Sequence, residues 1–460
     1  MNLDYDFFND NNQQEIKKEQ QNMAGISPRP PEIPMPKKKR NKGETIGTIA
    51  LALLIFLSGM WTTWAMLDPE IRTLLSIKNK IQDNYYQEIT DEDFYKAIFG
   101  GINNGLLDAY SEYMTPEEFA KMLDDMEGNR IGVGLVFTMG QDTDLCIRRV
   151  CGNSPAEEAG IAVGETIVGC GETEEKIAAC TTFEEFSAFL QNYGEGEPFY
   201  LQLRANGEDR VVKLYKSAYV ENQVFYRTND SAYAFTGGNA TVLTEQKNPL
   251  TCLDDDTAYI RLVQFSANAA TAFDVAMQQF KKDGKKNLIL DLRENGGGYL
   301  DVMQSIASYF CKNATGKTPI VAVADYGEKR ESYKADGNYY SEYFAEDSRI
   351  CVLADAYTAS ASECLIGCML DYGAIAYKDI CLAERGGVAK TYGKGIMQET
   401  TYVNLFKQDA ITLTTAKIRW PVSDNSIHGR GVLPKDGALT VAENIDYEKE
   451  TVNAIKTLLG

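Results

Sequence analysis

Two short segments contain the side chains best suited to nucleophilic catalysis. Thr358–Glu363 reads T-A-S-A-S-E and includes Ser360, and Thr391–Gly395 reads T-Y-G-K-G and includes Lys394. A serine nucleophile needs a base, and the 460 residues include a single histidine, His428, which lies in a glycine-flanked turn. Lys394 is therefore the most available base. Its amine must be neutral to accept a proton, so we expect burial to lower its pKa from about 10.4 towards about 7–8.

A third segment, Arg293–Gly298, has three consecutive glycines and follows the apolar run Asn287–Leu292. Parallel sheets place their sites at such carboxyl ends of strands. A phosphate-binding loop would need Lys followed by Ser or Thr after the glycines, and this pair is missing from the sequence. Glycine amides can also stabilise a developing alkoxide, so an oxyanion hole is the better interpretation of this loop.

The elements around these segments alternate between strands and helices. The predicted strands are Ala258–Val263, Asn287–Leu292 and Ile350–Ala354, and the predicted helices are Ala269–Lys282, Leu300–Phe310 and Cys364–Leu370. This alternation predicts an α/β core with a parallel sheet. It places Ser360 where a strand passes to a helix, so that the helix N-terminus adds positive potential beside the nucleophile.

The N-terminal part of the chain predicts a membrane anchor. Residues 45–67 carry no charge and, as a helix, span enough length to cross a bilayer. The basic cluster Lys37–Arg40 precedes them, which predicts a cytoplasmic N-terminus and an exported body. A cleaved signal peptide is the alternative. Residues 1–44 are polar and proline-rich, and we expect a disordered cytoplasmic tail that acts as a spacer or recruits a partner.

Composition limits the possible partners and cofactors. Asp and Glu number 66 against 46 Lys and Arg, so nucleic acid is an unsuitable partner, because phosphate binding favours a basic surface. The ten cysteines show no zinc-ligand spacing, and we expect neither a metal nor another cofactor. In an exported domain these cysteines could form disulfides or remain buried thiols, and the spacing favours neither.

Two further regions precede the α/β core. Residues 68–126 have helical periodicity and predict an N-terminal helical region. Residues 127–216 contain Ile131–Phe137, Leu145–Val150 and the run S-P-A-E-E-A-G-I-A-V-G-E-T-I at Ser154–Ile167, and they resemble a PDZ domain. Domains of this family bind an extended chain end at a sheet edge, with loop amides holding the terminal carboxylate. The resemblance assigns that loop to Arg130, Ile131, Gly132, Val133 and Gly134.

Taken together, these segments resemble the carboxy-terminal processing proteases, S41-type serine peptidases with an embedded PDZ domain. The resemblance covers about residues 70–435 and includes D-L-R-E-N-G-G-G, S-A-S-E, T-Y-G-K-G-I-M-Q and G-R-G-V-L-P in the family's order. It implies that Ser360 is the nucleophile, Lys394 the general base and Gln398 the residue that orients the lysine amine. Ala361 and Gly298 would supply the oxyanion-hole amides. Ser362 is the second candidate nucleophile, and Lys390 is the second candidate base.

One stretch departs from the family's pattern. Residues 378–390 are longer than usual before the T-Y-G-K-G segment, which predicts an inserted loop and leaves the position of Lys394 open.

The resemblance implies a fold and a function. We expect an α/β protease core of the ClpP/crotonase type at 217–460, an inserted PDZ domain at 127–216, a helical region at 68–126 and one membrane helix. The function would be that of a membrane-anchored, extracytoplasmic bacterial serine endopeptidase that cleaves proteins with apolar carboxy-terminal tails. The resemblance also allows the chain to form a homo-oligomer. A catalytically silent PDZ scaffold and a thioester-processing enzyme on a related core are the alternatives.

Overall fold

The computed structural model describes residues 42–137, 145–236, 242–245, 248–316, 318–404 and 406–460. The chain forms two compact units, Met1–Phe94 and Tyr95–Gly460. Residues 1–41 of the tail that is predicted to be disordered lie outside the described residues. Its last three residues do not fit that prediction, because a helix already begins at Lys42.

The first unit contains the helices Lys42–Met66 and Pro69–Asn84. Asp68 caps the second helix by accepting a hydrogen bond from the Glu70 amide at 2.9 Å. Judged by length and hydropathy, none of the helices within the described ranges qualifies as a membrane span. The span at 45–67 therefore remains a prediction from the sequence.

The second unit is built on an eight-stranded sheet. Its first four strands pair antiparallel, and its four remaining junctions are parallel. The strands, in spatial order, are Val242–Glu245, Ala232–Thr236, Val224–Arg227, Thr257–Leu262, Asn287–Asp291, Ile350–Asp355, Ile380–Ala383 and Leu439–Val441. The parallel strands confirm the predicted α/β pattern, since each of those predicted from sequence lies within two residues of its expected bounds.

Helices cover this sheet because its strands are apolar on both faces. Every residue of Ile350–Asp355 is buried, as is every residue of Thr257–Leu262. The helices of the second unit outside the insert are Asp91–Gly105, which starts at the end of the first unit, Pro116–Glu127, Ala269–Lys282, Leu300–Ala307, Tyr340–Tyr343, Ala361–Asp371 and Tyr447–Leu459, with short 3₁₀ helices at Tyr377–Asp379 and Pro434–Asp436.

A second, five-stranded sheet carries part of the site. It consists of Glu112–Met114, Ile320–Asp325, Arg330–Lys334, Ile396–Asn404 and Asp409–Arg419. Glu112–Met114 pairs antiparallel with Asp409–Arg419. The region at 68–126 is therefore not purely helical, because one of its segments pairs with a strand about 300 positions later in the chain.

The insert, residues 129–220, has a hydrophobic core of its own centred on Phe186, Phe199 and Leu201. Its helices are Pro155–Glu158 and Phe183–Gln191, and its strands are Asn129–Gly132, Leu135–Phe137, Ile147–Val150, Thr166–Gly171, Ile177–Ala179, Pro198–Ala205, Glu208–Tyr215 and Ser217–Val220. Pro198–Ala205 and Glu208–Tyr215 form a hairpin, with Asn206 and Gly207 at positive φ in its turn.

The expected loop at 378–390 is wrong for its first half, whereas residues 384–390 form no helix or strand and are exposed at 386–388. Ile380–Ala383 is a fully buried strand of the eight-stranded sheet, between Ile350–Asp355 and Leu439–Val441. Arg385 follows it and pairs with Asp355 at 2.7 Å and with Glu450 at 2.9 Å. Residues 380–383 therefore belong to the core, because the apolar residues I-C-L-A fill a place in the sheet.

All ten cysteines lie in the described ranges and are free thiols. Cys311 and Cys368 have a sulfur–sulfur distance of 3.8 Å and are both fully buried. The structure therefore corresponds to the buried-thiol alternative.

Candidate active site

Ser360 lies immediately before the helix Ala361–Asp371, which we call the nucleophile helix. Its backbone has φ 56° and ψ −116°, a conformation that costs a non-glycine residue about 1–3 kcal/mol. The carboxylate of Glu363 accepts a hydrogen bond from the Ser360 amide at 3.1 Å, which helps to hold this conformation. The sharp turn from a buried strand to a helix leaves Ser360 half-buried at the edge of a cavity.

The glycine loop packs directly against this turn. Asn295 connects the two, because its carbonyl oxygen accepts hydrogen bonds from the Ala359 amide and from the Ser362 hydroxyl, each at 3.0 Å. A Cβ atom at Gly297 would lie 2.7 Å from the Ser360 Cβ and 2.9 Å from the Ala361 nitrogen. Only glycine therefore permits this approach of the loop to the nucleophile.

The two amides predicted to form the oxyanion hole lack a protein acceptor for different reasons. Ala361 begins a helix, so its amide has no acceptor within that helix. Gly298 bridges Phe265 through the Gly297 carbonyl and the Tyr299 amide, which directs the Gly298 amide away from Phe265. Within the described residues neither amide has a protein acceptor. Both are available to an oxyanion.

Lys394 is half-buried and lines the same cavity as Ser360. Burial lowers the pKa of its amine, while the carboxylates of Asp108 and Glu112 act in the opposite direction. The direction agrees with the requirement for a neutral base. Of the two candidate lysines, Lys394 and not Lys390 is among the described residues lining the cavity.

Gln398 also lines the cavity, four residues after Lys394 at the start of the strand Ile396–Asn404. Its side-chain amide donates a hydrogen bond to the carbonyl oxygen of Tyr110. The ring of Tyr110 lies over the amine of Lys394, with 5.4 Å between Nζ and the ring centroid. Tyr110, to which the sequence analysis gave no role, therefore contacts both Lys394 and Gln398.

Glu363 joins the nucleophile helix to the lysine segment. It is 1% exposed and accepts hydrogen bonds from the Thr391 hydroxyl at 2.6 Å and from the amides of Gly393 and Lys394 at 2.7 and 2.8 Å. Burial raises the pKa of its carboxyl, against the effect of these donors. Glu363 belongs to the S-A-S-E motif, and its distance of three residues from Ser360 was the available sequence signal for this role.

Two other candidates are unsuited to catalysis. Ser362 is fully buried and its hydroxyl donates to the Asn295 carbonyl, so it is placed to brace the glycine loop. His428 is exposed, and its ring lies 6.2 Å from that of Tyr110.

The loop predicted to hold a peptide carboxylate divides into two parts. Arg130, Ile131 and Gly132 belong to the strand Asn129–Gly132, and Arg130 pairs with Asp125 at 2.5 Å and lines the catalytic cavity. Val133 is buried in the core of the insert. Gly134 has φ 82°, and a Cβ atom there would overlap the Ser154 side chain. Arg130 therefore lines the catalytic cavity, whereas Val133 and Gly134 pack within the insert.

A cluster of buried charges connects the insert to the glycine loop. Glu294, which precedes Asn295, contacts Arg148 of the insert at 2.7 Å, Arg149 of the insert at 3.6 Å and Arg261 at 3.4 Å. Burial would raise the pKa of Glu294, but the three guanidinium groups outweigh it and lower the pKa to about 2. The insert therefore contacts the loop that carries an oxyanion amide.

The cavity has a volume of about 860 Å³. The helix Pro116–Glu127 contributes Phe119, Met122, Leu123 and Met126 to its wall. Such a lining suits apolar side chains of an extended chain.

Comparisons with known proteins relate the chain to serine peptidases. Residues 256–436 match Peptidase family S41. A probable CtpA-like serine protease of Staphylococcus haemolyticus is 25% identical over 397 residues, covering 83% of this chain and 70% of the relative. Another, from Staphylococcus aureus (strain bovine RF122 / ET3-1), is 27% identical and covers 77% of this chain and 62% of the relative. The chain thus spans about two thirds of the length of these relatives.

Among solved structures, the photosystem II D1 C-terminal processing protease matches with TM-score 0.45, 22% identity and coverage of 79% of this chain and 85% of that one. A putative S41 protease from Bacteroides fragilis NCTC 9343 has TM-score 0.49, 18% identity and coverage of 82% and 90%. Residues 256–436 thus resemble Peptidase family S41, and the chain is similar to CtpA-like serine proteases.

Proposed function

We propose that the chain is a membrane-anchored, extracytoplasmic endopeptidase that uses Ser360 and Lys394 to cleave proteins captured by their carboxy-terminal tails. The observation that carries the proposal is that Ser360, Lys394, Gln398, Gly298 and Ala361 all line one cavity. Neutral Lys394 takes the Ser360 proton as Ser360 attacks the peptide carbonyl. The Ala361 and Gly298 amides stabilise the oxyanion, and water then hydrolyses the acyl-enzyme.

Capture of a chain end is assigned to the PDZ-like insert. Its strand Leu135–Phe137 has one partner strand, Ile147–Val150, within the described residues. Phe137 contacts Phe183 and Phe186 of the neighbouring helix with ring separations of 6.1 and 5.5 Å. A strand edge beside an apolar helix supports β-addition of an extended peptide with apolar side chains. Membrane anchoring is supported by the uncharged residues 45–67.

The test compares the full-length chain with Ser360→Ala, Lys394→Ala and Lys390→Ala on an unfolded protein substrate. We expect the first two variants to lose activity by several orders of magnitude, because members of a catalytic unit act together. Lys390→Ala is the matched control and should retain wild-type turnover. Equal cleavage by all four proteins would exclude the proposed chemistry. Peptide binding without turnover by the wild type would instead indicate a silent scaffold.

A further inference from the structure

We propose that Tyr110 is a positioning residue for the base, holding the Lys394 amine under its ring and the Gln398 amide at its carbonyl oxygen. The inference rests on the proposed function, in which Lys394 activates Ser360. Tyr110 lies 288 positions before Gln398 in the chain. Neither residue type nor spacing in the sequence connects the two.

The backbone around Tyr110 is held by the second sheet. Glu112–Met114 pairs with Asp409–Arg419, and Ser111 accepts a hydrogen bond from the Thr414 amide at 2.9 Å. Gln398 pairs with the same Thr414 from the strand Ile396–Asn404. Tyr110 and Gln398 are therefore fixed to one strand, and their relative position does not depend on a free loop.

The hydrogen bond to Tyr110 also orients the Gln398 side chain. A carbonyl oxygen only accepts, so the side-chain nitrogen of Gln398 must be the atom that faces Tyr110. The amide oxygen remains to accept a hydrogen bond from a lysine amine. With the nitrogen and oxygen exchanged, Gln398 would lose its bond to Tyr110.

The ring of Tyr110 acts on Lys394 in a second way. The face of an aromatic ring attracts a cation, and 5.4 Å is within the range of this interaction. The ring thus holds the ammonium form in place between catalytic cycles and favours protonation. Other charged or titratable groups face this pair, namely Asp108, Glu112, Glu363, Tyr392 and His428.

The experiment compares Tyr110→Leu with Tyr110→Phe in the full-length chain. Leucine keeps an apolar side chain and removes the aromatic face, whereas phenylalanine keeps the ring and removes only the hydroxyl. For Tyr110→Leu we expect kcat at high pH to fall by about 10-fold or more with little change in KM. The acid limb of its pH–rate profile should move to lower pH by about 0.4–1.5 units. Tyr110→Phe should match the wild type in both.

A second measurement needs no catalysis. In a Ser360→Ala background, the rate at which acetic anhydride acylates Lys394 is followed against pH by mass spectrometry, with and without Tyr110→Leu. The Lys394 midpoint should shift downward by the same amount. An unchanged midpoint, or equal losses in the Leu and Phe variants, would overturn the inference. Persistent activity of Ser360→Ala would overturn the proposed function instead, while leaving this titration readable. If circular dichroism shows Tyr110→Leu unfolded, Tyr110→Met replaces it.

Discussion

Two carboxylates that line the cavity, Glu363 and Glu294, connect neighbouring segments by different means. Glu363 accepts hydrogen bonds from uncharged groups and fixes the lysine segment to the nucleophile helix. Glu294 is surrounded by three guanidinium groups and fixes the insert to the glycine loop. The pKa of Glu363 is raised by burial, whereas that of Glu294 is lowered to about 2 because its charged partners outweigh burial.

The difference separates two ways of building a rigid site. Hydrogen bonds from uncharged donors fix the orientation of the Glu363 carboxylate but offset little of the cost of burying its charge. The contacts of Glu363 therefore contribute more to the geometry of the site than to the stability of the fold. Arginines compensate a buried charge strongly. Without Glu294, Arg148 keeps Glu450 and Arg149 keeps Glu221 as carboxylate partners. Arg261 keeps none within the described residues. Loss of Glu363 should therefore mainly damage catalysis, and loss of Glu294 should mainly damage folding.

The largest expected effect is on folding. Glu294→Gln removes the carboxylate partner of the buried Arg261 side chain, and we expect it to lower the free energy of unfolding by about 3–5 kcal/mol. Urea denaturation measures this. The control is Glu448→Gln, which removes the partner of Arg227 at a half-exposed position and should cost about 1 kcal/mol or less. Similar losses for the two variants would remove the distinction between the clusters.

The second effect is on turnover. Glu363→Ala releases the lysine segment, and a displacement of about 1 Å costs about 100-fold in rate. We expect a fall in kcat of that order, measured on the same unfolded substrate, with Glu363→Gln intermediate because it keeps one acceptor oxygen. A variant within threefold of the wild type would show that Glu363 does not position Lys394.

The third effect is the response to acid. The pKa of Glu294 is lower in the folded chain than its ordinary value of 4.5, so its stabilising contribution is present above about pH 4.5 and is lost as the pH falls towards 2. Glu363 has the opposite sign, since its raised pKa makes its charged form a cost as the pH rises. We expect the stability difference between wild type and Glu294→Gln to shrink by about 2 kcal/mol over that acid range. A constant difference would contradict the assigned shift.

The smallest effect concerns the edge of the charged cluster. Arg130 is 31% exposed at its side chain and pairs with Asp125 and, at 3.6 Å, with Glu221. Solvent screens such pairs, so Arg130→Gln should lower the free energy of unfolding by about 1 kcal/mol or less. The free energy of unfolding is again measured in urea. A loss as large as that of Glu294→Gln would show that Arg130 contributes as strongly as the buried charges.

Much of the core could be predicted from local patterns. The helix Ala269–Lys282 has the predicted bounds, and the buried strand Asn287–Asp291 ends one residue before its predicted end. The strand Ile380–Ala383 was missed, because four apolar residues are too few for periodicity to distinguish a strand from a loop. The strand Glu112–Met114 was missed because its partner is remote in sequence.

The sequence by itself determined the alternation of strands and helices and the segments that carry Ser360, Lys394 and the glycine loop, because hydrophobic periodicity and turn residues act over short distances. Only the tertiary structure decided that Glu363 joins the nucleophile to the lysine and that Tyr110 covers the base. These contacts join side chains from separate segments, and the pKa of each group depends on burial and neighbouring charge, which exist only once the chain has packed.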